Sequence, residues 1–322
     1  MNLIWCRLFA AFIGMVACAA NAGQVPVVDG KAMKVQNLAT AFVTFWDQTK
    51  DLSADARVAA FKRDVEPQFP AFYGIARFGE NVTQVKRDAQ IRRAIEKFGP
   101  IRETFMAKML NFEAQLQTNL LSFRQTFPDF QPDVSVYLLH SLGEMDGGTR
   151  TLEGKQYLIF GIDGMVQFHQ SSSDESAFFH HELFHVLHGT WFATCDEIWC
   201  TLWSEGLAVH VAKTLHPHAT EDELLLTFPP DLVKNTEAKR RDALIHLKSV
   251  LSSTDGDIYG GIFQSRGDTT GLPARRGYVL GLWVAQEIAK TNSLQALSKM
   301  TAEQVKPLIF EAVNTLIGQT RP

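Results

Sequence analysis

Apolar positions recur every three or four residues through most of this chain, and in an extended pattern only in one short central part. Val35, Leu38, Phe42, Phe45 and Trp46 make a first helical face. Ser53 stands as N-cap of a second helix that stops near Pro67. Residues 83–98 predict a charged amphipathic helix ending before Gly99-Pro100. Ile101, Phe105, Met109, Phe112, Leu116 and Leu120 then stripe a long helix over 101–126. The whole of 31–130 is therefore expected to be helical, with its aromatic and methionine side chains as core.

After a break from Phe127-Pro128 to Pro132 the pattern changes. Val134 to Leu139 and Gln156 to Ile162 predict two strands, separated by a glycine-rich turn at 143–148. An apolar helix follows, with Ser172 and Glu175 matching a capping box at its start. Thr201 to Leu215 predicts a second apolar helix, and 236–253 a third with a basic, solvated face. The stretch 254–276 carries five glycines and is expected to be a long loop, a candidate lid. Gly277 opens another apolar helix, and short helices near 293–300 and 302–318 finish the chain. The expected class is α+β, mostly helical, with a small sheet placed before the central helix.

Composition adds little to this and charge excludes one class. Of 322 residues, 46% are hydrophobic and 20% charged, enough for an ordinary globular core. A net charge of -4 and a pI near 6.2 give no basic face for nucleic acid. Arg7, the apolar run Leu8 to Ala20 and Ala20-Asn21-Ala22 predict a signal peptide over 1–22 and a mature start at Gly23. A lipoprotein anchor at Cys18 is the alternative, from the loose lipobox Met15-Val16-Ala17-Cys18. No other stretch is long and apolar enough to span a bilayer. The chain is expected to be exported, periplasmic or secreted. Two cysteines remain in the mature part, Cys195 and Cys200, and an oxidising compartment favours a small disulfide loop between them.

The central helix carries the chemistry. His181-Glu182-Leu183-Phe184-His185 is an HExxH motif, which puts both histidines on one helical face. A buried helix with two histidines and a glutamate needs partners for them, and a metal supplies those partners. Glu205, in Ser204-Glu205-Gly206-Leu207-Ala208, offers a third ligand from the next helix. Two imidazoles, a carboxylate and an open fourth position describe a catalytic zinc site. His180 and His188 are expected to be core or supporting residues, and Asp196 is the rival third ligand.

These motifs resemble the gluzincin metallopeptidases, the clan that includes thermolysin and the aminopeptidases of the M1 type. The likeness extends to bacterial exported predicted zinc proteases, in which a Gly-Tyr-x-x-Gly helix start recurs; here it is Gly277-Tyr278-Val279-Leu280-Gly281. The resemblance covers about 155–290. It implies a zincin-like catalytic domain over 131–322, with a helical region 23–130 packed on it. It implies Zn2+ held by His181, His185 and Glu205, Glu182 as general base, and a peptide or protein substrate paired along an edge strand. Tyr278 is the expected oxyanion donor, with His210 and Arg276 as rivals.

Two features depart from that clan. Val209 stands where thermolysin-like enzymes carry an aspartate that orients a zinc histidine. No aminopeptidase signature is present. A metzincin is excluded, because Trp191 occupies the place of its third histidine. The alternative function is a non-catalytic zinc-binding scaffold, whose fourth ligand would be closed by His188 or His210.

Overall fold

A computed structural model describes residues 32–169, 174–193 and 195–320. The signal segment, Cys18 and Ser172 lie outside the described residues. The fold is α+β and mostly helical, with one four-stranded sheet.

The first described element is strand β1 (Val35–Asn37), where a helical turn was expected. Val35 pairs in parallel with Val136, and three residues are too few to show a period of two. Helix α1 (Ala39–Thr49) and helix α2 (Ala54–Asp64) follow; the Ser53 side chain accepts from the Ala56 amide, as a cap should. A short helix α3 (Pro70–Tyr73) and irregular turns lead to α4 (Gln84–Thr126).

Helix α4 is one unbroken element of 43 residues and does not stop at Gly99-Pro100. Ile91, Ile95 and Phe98 before the proline and Phe105, Met109 and Phe112 after it are all buried in one core. That continuous face outweighs the hydrogen bond that proline removes from a helix interior. Trp46 helps locally: its indole N–H donates to the Ile95 carbonyl at 3.1 Å, and its ring lies beside Gly99.

Strand β2 (Ser135–Leu139) runs parallel to β1 and to β4 (Lys155–Gly161); β3 (Gly147–Leu152) runs antiparallel to β4. The order β1-β2-β4-β3 leaves β3 on an edge. The glycine-rich turn thus runs directly into a strand. Its Gly-Gly-Thr-Arg-Thr start has no apolar alternation, because β3 faces the cleft described below. The sheet joins residues on both sides of position 130, and one core cluster runs through both parts.

Helix α5 (Ile162–Phe168) precedes the motif helix α6 (Ser176–His188). Glu175 is itself the N-cap of α6, so it does not sit three residues inside the helix as a capping box requires. Its carboxylate is engaged elsewhere. Helix α7 (Ile198–Leu215) comes next, and Cys195 and Cys200 form a disulfide at its start. Helices α8 (Leu232–Ala238) and α9 (Arg240–Val250) divide the single helix expected over 236–253. Helix α10 (Gly256–Phe263) occupies the first part of the expected loop 254–276. Helices α11 (Arg276–Ala289), α12 (Leu294–Ser298) and α13 (Ala302–Gln319) complete the chain. Among the described residues no helix is long and apolar enough to cross a membrane.

Candidate metal centre

Two helix contacts build the site. Helix α6 packs against α7, and α7 against α11. The second contact depends on Gly206 and Gly281. A Cβ on Gly281 would lie 2.5 Å from the Leu202 carbonyl oxygen and 2.9 Å from the Gly206 Cα. The glycine after Glu205 therefore lets the two helix backbones touch, which brings Tyr278 to the same cleft as Glu205.

The Nε2 atoms of His181 and His185 face each other at 2.9 Å. One oxygen of Glu205 lies 3.4 Å from the first and 3.5 Å from the second. Tetrahedral zinc with ligands at about 2.0–2.1 Å separates its donors by about 3.3–3.4 Å. The donor set and its spacing fit such an ion. Among the described residues these three form the one His/Cys/Asp/Glu group with ligand atoms this close together. Neither His188, His210 nor Asp196 joins it.

Electrostatics divide the acidic groups. Burial opposes a charge on Glu205, but His185 and His181 outweigh it and hold the carboxyl well below its usual range. His185 responds in kind: burial lowers it, Glu205 raises it more, and the result is about 8. Glu182 moves the other way. Burial raises its proton affinity, the two histidines pull it down, and Asp146 and Glu205 push it up again. One Glu182 oxygen is buried without a hydrogen-bond partner. Leaving such an atom unpaired costs about 1–3 kcal/mol or more, so it marks a place where a ligand or water belongs. A Cβ on Gly147 would lie 3.2 Å from the Glu182 carboxyl carbon, so β3 packs its bare backbone against this group.

The other histidines are structural. His180 bonds Ser122 at 2.8 Å, the Asn119 carbonyl at 3.0 Å and His216 at 2.9 Å. His188 is stacked on Phe184 and Phe192, and burial lowers it to about 3. Val209 has no polar atom to orient a ligand, but the Ser204 hydroxyl lies 3.4 Å from His185 Nδ1 and partly fills that role.

The centre opens into a cleft of about 1080 Å³. Tyr278 lines it, as expected; His210 does not. Arg276 is fully buried elsewhere, donating to the Gly261 and Pro273 carbonyls and to Asp268. Burial and the nearby Glu205 raise Tyr278, which keeps its hydroxyl protonated at neutral pH. Tyr259, on α10 inside the expected loop, also lines the cleft and is raised in the same way.

Sequence patterns also missed a charged chain behind Glu182. Lys108 donates to Glu175 at 2.6 Å, His169 Nδ1 lies 2.7 Å from Glu175, and His169 Nε2 lies 3.2 Å from Asp146. Asp146 reaches the cleft. These four residues come from α4, the turn before β3, the end of α5 and the N-cap of α6, and no periodicity links them. Arg150 and Arg275 in the cleft wall were missed for the same reason.

A scan against protein-family models and searches of curated proteins and of solved structures found no match for this chain.

Proposed function

We propose that this chain is an exported, zinc-dependent metallopeptidase that hydrolyses peptide bonds. One observation carries the reading: two helix-borne imidazoles and one carboxylate converge beside a buried glutamate that has a free oxygen. His181, His185 and Glu205 would hold the metal. Zinc bound there would polarise a scissile carbonyl and lower the pKa of water to about 7.

Glu182 takes the proton from the attacking water and hands it to the leaving amine. Its raised proton affinity suits that task, because a base buried away from water holds a proton more tightly. Tyr278 donates a hydrogen bond to the developing oxyanion, and its raised pKa keeps that proton available. The open edge of β3 supports an extended substrate through main-chain pairing. The disulfide supports export, since such bonds persist in oxidising compartments.

The test is Glu182→Gln in the full chain. Metal analysis should return about one zinc per chain in parent and variant alike. Peptide hydrolysis should fall by about 10²–10⁴-fold in the variant. A variant that cleaves as well as the parent refutes the mechanism.

A further inference from the structure

Most charged groups lining the cleft are already paired. Glu144 pairs with Arg77, Asp146 with His169, and Glu205 with the two motif histidines. Glu223 accepts from the Thr220 and Asp174 amides. Arg266 is paired with Asp257 at 3.2 Å. Two cleft arginines, Arg150 and Arg275, have no carboxylate partner among the described residues.

Arg150 stands on β3 and donates only to the neighbouring Thr149 carbonyl, at 3.1 Å. It lies close enough to His185 and Tyr259 to act on both electrostatically. Arg275 precedes α11. Its guanidinium carbon is 4.6 Å from the Tyr278 ring centroid and 5.6 Å from that of Phe228. Its Nε is buried without a hydrogen-bond partner. Tyr259, Tyr278 and the two arginines line the same cleft as His181, His185 and Glu205.

A half-buried guanidinium with unused donors asks for an anion. Its planar fork matches a carboxylate, which can accept two parallel N–H bonds. We propose that the cleft selects peptides bearing a carboxylate close to the bond to be cut, held by Arg150 and Arg275. This rests on the metallopeptidase reading for the words "bond to be cut", but the carboxylate site itself can be tested without catalysis. The carboxylate can be the free C-terminus of a peptide or an aspartate or glutamate side chain within it. Either would supply the partner that Arg275 Nε lacks.

The experiment uses the full chain carrying Glu182→Gln, so that no peptide is consumed. Fluorescence anisotropy measures binding of three N-terminally labelled versions of one otherwise neutral peptide. The first ends in a free carboxylate, the second in an amide, and the third in an amide with one internal glutamate. At least one carboxylate form should bind about tenfold or more tightly than the neutral amide, as expected for a charge-assisted pair. The advantage should disappear in Arg150→Gln and Arg275→Gln and survive in part in Arg150→Lys and Arg275→Lys. Should the glutamine variants fold poorly by circular dichroism, the lysine variants and the salt dependence of the parent decide instead. A parent preference that does not weaken at high salt then counts against the arginines. Preference for the first peptide alone identifies a terminal carboxylate, and preference for the third a side-chain one. Equal binding of all three, or full preference in the double glutamine variant, overturns the proposal. A protein that keeps the preference while its parent cuts nothing retains this site and loses the peptidase reading. One that cuts neutral and acidic peptides alike does the reverse.

Discussion

Replacing Gly206 by alanine tests the helix crossing on which the site depends. A Cβ there would fall inside the van der Waals shells of the Gly281 Cα, carbonyl carbon and oxygen. All three are backbone atoms, so no side chain can rotate away and α7 must part from α11. Overpacking of a tight contact costs about 1–3 kcal/mol and sometimes more. With backbone on both sides the upper end applies, about 3 kcal/mol. Alanine returns about 1 kcal/mol through its better helix propensity. The net loss is therefore about 2 kcal/mol, which for a chain of this size lowers Tm by about 3 °C.

Gly318 provides the control. It lies near the end of α13, and a Cβ there would meet nothing within 4 Å. Gly318→Ala should gain up to about 1 kcal/mol and raise Tm by about 1–2 °C. Scanning calorimetry on both variants and the parent gives the comparison. Separation of the helices also displaces Glu205, so Gly206→Ala should bind zinc more weakly than the parent while Gly318→Ala does not. If Gly206→Ala melts at or above the parent temperature, the close crossing does not hold the site together.

Two further perturbations address the metal and the buried charges. Zinc at a hundredfold excess over its Kd should stabilise the parent by about 2.7 kcal/mol, or about 4 °C in Tm; His185→Ala should remove that gain, and a gain that persists in the variant places the ion elsewhere. His169→Gln should destabilise the fold by about 3–5 kcal/mol, the usual cost of removing one partner from a buried ionic network. Burial lowers His169, but Asp146 and Glu175 outweigh it and raise its pKa in the folded state. A raised group stabilises fully below its unfolded pKa of about 6.5 and less as pH climbs through the folded value. Both carboxyls are depressed in turn, so their share is present above their unfolded values of about 4 and lost as pH falls through the folded ones. The stability gap between parent and variant, followed by urea unfolding from pH 3 to 9, should be largest between about pH 4.5 and 6.5. A gap that stays flat from about pH 3 to 9 rules out an ionic network.

The convergence of His181, His185 and Glu205 was legible because two of the three are local. His181 and His185 are one helical turn apart, and Glu205 sits on the next long helix. The strong apolar stripes of α4, α6, α7 and α11 were equally visible, since burial writes a period of 3.6 into any helix that faces a core. Features without such a period were not. Three-residue β1 and the glycine-rich β3 have too little apolar alternation to register. Proline 100 signals a break that long-range packing overrides. The walls of the cleft, Asp146 and Arg150, Tyr259, and Arg275, come from three segments that meet only in the fold. Each is an ordinary surface residue type in the linear chain.

The two glutamates of the proposed centre show what the fold adds to the motif. As residue types alone, either could serve as ligand or as base. In the structure their surroundings drive them apart. Glu205 faces two imidazoles and is held charged, as a metal ligand must be. Glu182 faces β3 backbone, with Asp146 and Glu205 as like charges nearby, and its proton affinity rises. A pair of acids pushed in opposite directions is the arrangement from which acid–base roles are assigned. It supports Glu205 as ligand and Glu182 as base, and not the reverse. The buried Lys108–Glu175–His169–Asp146 chain contributes to that separation, because it fixes the Asp146 charge beside Glu182, one of whose oxygens is buried without a hydrogen-bond partner.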